Sequence, residues 1–137
     1  MALIFVASTD LGGTRHTSRF IVPLLRWLVP GLAQEALEAI HFTVRKSGHA
    51  LGYAVLAGLI WRACRAGQNR RAGDWSWRHA SMAFTLAACY AATDEWHQTF
   101  TATRDGSLAD VVLDAAGAAM GLAAIGVWCW WRRTRSA

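Results

Sequence analysis

Residues 108–131 read LADVVLDAAGAAMGLAAIGVWCWW, and this stretch decides the fold. Between Asp114 and Arg132 it carries no charge, and it closes on Trp128, Trp130 and Trp131 ahead of Arg132 and Arg133. A helical run of ~20 apolar residues is long enough to span a bilayer core. Tryptophans followed by arginines mark where such a run meets water. The spacing therefore predicts a membrane helix from about Leu108 to Trp131.

Working back along the chain, a second apolar stretch runs from about Arg78 to Phe100 and a first from about Ser47 to Cys64. The link Thr101–Ser107 is short and forces the last two stretches to run antiparallel. The link from Arg65 to Trp77 is polar, basic and contains glycine. Upstream, Gln34 to Val44 has helical spacing and leads into the first span. Phe20 to Leu32 is interrupted by Pro23, Arg26, Trp27 and Pro30, which suits an interfacial helix. Ala2 to Ala7 is an apolar run of only six residues and reads as the remnant of a longer transmembrane helix. The expected fold is all-α: one domain over 1–137, a polytopic membrane helical bundle with three full transmembrane helices, a short or truncated N-terminal apolar segment and an interfacial helix.

Composition alone leaves the class open, since 54% hydrophobic and 17% charged residues fall between a soluble globule and a purely apolar membrane protein. Distribution resolves it, because the charges occur in blocks between the apolar stretches. A net charge of +5 could suit nucleic acid, but no nucleic-acid motif accompanies it. Cys64, Cys89 and Cys129 are widely separated and lack the spacing of a zinc site or a disulfide framework, so neither metal nor cofactor is expected.

Orientation follows from the basic residues. One side holds Arg62, Arg65, Arg70, Arg71, Arg78, Arg132, Arg133 and Arg135 against a single acid, Asp74. The other holds Arg15, Arg19, Arg26, Arg45, Lys46 and Arg104 against all eight remaining acids. The positive-inside rule predicts a multi-pass protein of the cytoplasmic membrane with a cytoplasmic C-terminus. Trp61, Trp75, Trp77, Trp128, Trp130 and Trp131 fall near the cytoplasmic boundary as an aromatic belt.

Measured inward from that boundary at ~1.5 Å per residue, each apolar stretch is shorter than the ~30 Å hydrocarbon core. It gives ~18 Å to His49 in the first, ~21 Å to Asp94 in the second and ~26 Å from Trp131 back to Ala115, next to Asp114, in the third. All three therefore meet ionisable residues below the outer surface, on the same side, where unpaired charge is expensive. Arg45, His49 and Tyr53 recur at helical spacing, as do Asp94 and Gln98, and Asp110 and Asp114. The pairs Gly48/Gly52 and Gly117/Gly121 have GxxxG spacing, which allows close backbone approach. These groups predict one shared polar pocket, with packing of the outer third of the bundle as the alternative.

At the same residues the chain resembles the VanZ-like family of small membrane proteins. The matching elements are Arg45-Lys46-Ser47-Gly48-His49 with Tyr53, then Asp94-Glu95-Trp96-His97-Gln98-Thr99-Phe100, then Arg104 with Asp110, and Asp114 ahead of Gly117 and Gly121. The similarity is strongest over 45–121. The chain departs from the family at Gly52, where Glu is common, at Thr101-Ala102-Thr103, where proline and glycine are common, and at Asp114, where Asn is common. The resemblance implies a role in the bacterial cell envelope and an association with glycopeptide, specifically teicoplanin, resistance.

Two functional classes follow. In the first, Arg45, Lys46, His49, Tyr53, Asp94, Glu95, His97, Gln98, Arg104, Asp110 and Asp114 bind an envelope lipid, a lipid-linked precursor or a lipoglycopeptide, the cations taking its anionic groups. In the second, the chain is a membrane enzyme on a phosphate-bearing lipid-linked substrate, with His49, Asp94 and Glu95 as catalytic groups. A structural subunit of an envelope complex, or a homo-oligomer, is the third arrangement that GxxxG faces permit.

Overall fold

The computed structural model describes residues 33–66, 74–100 and 107–135, with a few isolated positions between 23 and 31. They form three helices, α1 (Gln34–Arg65), α2 (Trp77–Gln98) and α3 (Leu108–Arg135), and no strand occurs among the described residues. The all-α class is thus observed. The N-terminal apolar run, Arg70 and Arg71 of the first link and Arg104 lie outside the described residues, as does most of the expected interfacial helix.

The expected first span and the segment before it form one continuous helix of 32 residues. Between Val44 and His49 the chain offers no proline. A single interior glycine costs only ~1 kcal/mol relative to alanine, too little to end a helix of this length.

The chain divides into two compact units, Met1–Gly48 and His49–Ala137, the division falling within α1. In the first, Arg45 and Lys46 flank the Phe42 ring at 6.0 and 5.3 Å. The Gln34 side-chain amide donates to Glu38 one turn on, at 3.1 Å.

The second unit holds the rest of α1 with α2 and α3. Where α1 meets α3, Gly117 lies on the backbone of Ala50 and Gly121 on that of Ala54, while Gly58 faces Ile125. Both numberings rise together, so α1 and α3 run parallel. A Cβ at Gly121 would come within 2.6 Å of the Ala54 carbonyl oxygen, and one at Gly117 would collide with Ala50. The expected GxxxG pair on α3 therefore makes a close approach, but Gly48 and Gly52 do not: a Cβ at either would meet nothing within 4 Å. Helix rotation presents Ala50 and Ala54 to α3 instead. The α2–α3 pair is antiparallel, with Ser107 beside Glu95 at one end and Trp75 against Gly126 at the other.

The interior is rich in alanine, and much of the exterior is large and apolar. Ala57, Ala80, Ala83, Ala87, Ala91 and Ala118 are buried, whereas Leu51, Val55, Leu59, Leu86, Val112, Met120 and Val127 are exposed. Water would drive the second set inward. In lipid no such force acts between helices, and small residues that let backbones approach win the interface. Among the described residues α3 alone is both long and apolar enough to cross a membrane. Helices α1 and α2 have 32 and 22 residues, but ionisable and polar groups dilute their apolar character. By that measure one span stands where three were expected.

Candidate functional site

Several polar groups of the second unit are buried in its interior. Tyr53 reaches its position through the buried stripe Tyr53, Leu56, Ala57 and Trp61 of α1, the spacing that keeps one helical face inward. Asp94 and Gln98 continue the alanine stripe of α2, and Asp114 stands one turn before Gly117 and Ala118 on the buried face of α3.

The Tyr53 hydroxyl donates to Asp94 Oδ2 at 3.4 Å, and the Gln98 amide donates to the same oxygen at 3.3 Å. These bonds link α1 to α2 and hold the carboxylate. The Tyr90 ring lies 6.3 Å from that of Tyr53, tilted by 48°. His49 Nδ1 stands 3.7 Å from Asp114 Oδ2, which links α1 to α3. That separation is too long for a hydrogen bond. Asp114 is only 1% exposed, and neither of its oxygens meets a hydrogen-bond donor among the described residues. A buried carboxylate so held calls for a charged partner or a hydrogen-bond donor. It brings unused acceptor capacity to the site.

Glu95 belongs to a different task. Its Oε2 accepts the backbone N–H of Ser107 at 3.0 Å, and the Ser107 hydroxyl accepts from the Ala109 N–H at 3.2 Å. Ser107 therefore caps α3, and a carboxylate from α2 completes the cap much as a glutamate in the first turn does in a capping box. The charge also sits favourably at a helix N-terminus.

The structure thus brings together Tyr53, Asp94 and Gln98, and separately His49 and Asp114. Tyr53 lies within electrostatic reach of both aspartates. Asp110 is half-buried one turn before Asp114, and His97 is exposed. Arg45 and Lys46 belong to the other compact unit, and Arg104 lies outside the described residues. The described site consequently combines two aspartates with the donors Tyr53 and Gln98 and one histidine. Sequence reasoning missed Tyr90 and Ser107. Tyr90 precedes Asp94 by one turn, and Ser107 immediately precedes an apolar helix, the usual place of an N-cap.

At the opposite end of the unit the interior is aromatic. Trp61 and Trp75 stack at 5.8 Å, and Trp75 meets Trp77 edge-on at 5.5 Å. Trp61 is buried, so it is a core residue and not part of an aromatic belt. Three of the arginines lie on rings: Arg65 over Trp61, Arg132 over Trp128 and Arg135 over Trp131, at 4.5, 4.5 and 4.0 Å.

Neither curated proteins nor solved structures provide a match to the chain. The family model described as VanZ/LLP1 matches residues 1–131. With nearly its whole length covered by that match, the chain belongs to the VanZ/LLP1 family.

Proposed function

We propose that the chain is a multi-pass membrane protein of the bacterial envelope. Its interior polar cluster opens toward the extracytoplasmic side and binds an envelope lipid, a lipid-linked precursor or a lipoglycopeptide, thereby changing glycopeptide susceptibility. One observation carries this reading: Tyr53, Asp94 and Gln98 meet between α1 and α2, His49 meets Asp114 between α1 and α3, and the helices expose large apolar side chains around them. Such groups at membrane depth mark ligand or ion pathways more often than lipid-facing surface. The unsatisfied acceptors of Asp114 suit hydroxyl, amide or amine donors of a ligand, while Arg104 is a candidate for its phosphate. The excess of arginine at the far end supports an inward C-terminus.

The test uses a strain in which the gene alters teicoplanin tolerance. At matched membrane abundance, Asp94→Asn and Arg104→Ala should abolish the effect while Asp74→Asn retains it. Full tolerance in both site variants would reduce the cluster to packing. A second reading, an enzyme acting on a lipid-linked substrate, is favoured by the His49–Asp114 contact, since an acid beside histidine can orient it for proton transfer. Turnover of a lipid-linked phosphate by purified protein, lost in His49→Gln, would select it.

A further inference from the structure

The arginine-rich end holds a feature that the polar site does not use. A cavity of about 1040 Å³ opens between α2 and α3, lined by the small residues Ala119 and Ala123, by the rings of Trp77, Phe84 and Trp130, and by Arg133. From Ala119 to Arg133 the helix advances ~21 Å. One leaflet contributes about half of a ~30 Å hydrocarbon core, so the groove has the length of an acyl chain with room for a headgroup at its arginine. Small residues leave the space and aromatic rings bound it, the composition expected where an apolar chain lies between helices.

Charge selects the headgroup. Asp74 also lines the groove, but the described residues at this end include Arg62, Arg65, Arg78, Arg132, Arg133 and Arg135 against that one acid. Arg132 and Arg135 are laid over tryptophan rings, whereas Arg133 faces the cavity. Guanidinium binds phosphate through paired hydrogen bonds, and basic pockets between membrane helices on the cytoplasmic side hold anionic headgroups.

We propose that this groove is a binding site for one anionic phospholipid, its acyl chain lying along Ala119 and Ala123 and its phosphate on Arg133. The site is separate from the polar cluster and lies at the other end of the same helices.

The full chain, purified in detergent with an equimolar mixture of phosphatidylglycerol and phosphatidylcholine, is analysed by native mass spectrometry. The wild type should retain phosphatidylglycerol several-fold over phosphatidylcholine. Arg133→Gln should remove the preference, and Ala123→Trp, which fills the groove, should remove the bound lipid. Arg135→Gln, whose guanidinium lies on Trp131, should behave as wild type. Thermal unfolding of each variant in the same detergent separates loss of lipid from loss of fold, and Arg133→Gln, a surface change, keeps the test decisive if Ala123→Trp unfolds. Equal retention of the two lipids by the wild type, or an undiminished preference in Arg133→Gln, would overturn the proposal.

Discussion

The same three helices treat charge in opposite ways at their two ends. At one end Tyr53, Asp94 and Asp114 are buried, and the half-buried His49 contacts Asp114. Around Trp61, Trp75 and Trp77 the interior is aromatic, and arginines lie over rings at its edge. Charge held outward orients a helix and remains solvated, where its pairwise energy is small. Charge held inward must be matched group by group, because any partner removed leaves another stranded. The inward end is where substitution should be costly, and it is therefore the end that a function would have to maintain.

The largest effect should come from the seam that holds the inward end together. Gly117→Val places a side chain against the Ala50 backbone, which cannot move aside. Overpacking costs ~1–3 kcal/mol where side chains can give way, so this change should reach or exceed the top of that range. It should also separate His49 from Asp114. Thermal unfolding in detergent, or steric trapping in bicelles, would read it. A wild-type midpoint would show that the close α1–α3 approach is not needed.

Asp94→Leu comes next. It leaves the buried Tyr53 hydroxyl and the Gln98 amide without their shared acceptor, a loss of ~1–3 kcal/mol for an unsatisfied buried donor. Adding Tyr53→Phe should recover part of it, and failure of that recovery would deny the coupling between α1 and α2. Glu95→Ala should cost about 1 kcal/mol, the worth of a helix cap. Amide exchange should quicken at Ser107 and Ala109 while the rest of α3 keeps its protection. The smallest effect belongs to the outward end: Arg135→Gln should change stability by no more than ~0.5 kcal/mol.

Much of this contrast was legible in residue order. The length of the apolar run after Asp114, the shortness of the link before Leu108 and the spacing of Asp94 and Gln98 placed α2 and α3 and their inward acids. Other features depend on helix rotation, which a pattern on one helix does not determine. Gly48 and Gly52 have the same spacing as Gly117 and Gly121, yet Ala50 and Ala54 make the approach, because the face that α1 turns inward is fixed by Tyr53 and Leu56. The role of Glu95 required knowing that the chain turns back beside it. Trp61 looked like a belt residue by position and is core by packing with Trp75.

The central claim is that the ionisable groups of separate helices face one interior. Cysteine crosslinking tests it most directly, in a background with Cys64, Cys89 and Cys129 replaced by serine or alanine. The pair Tyr53→Cys with Asp94→Cys should be joined efficiently by a short bifunctional thiol reagent in native membranes. The pair Leu51→Cys with Asp94→Cys, whose first member is exposed on the apolar exterior, should not. Efficient joining of Leu51 to Asp94, with none between Tyr53 and Asp94, would place the polar face outward and contradict the account.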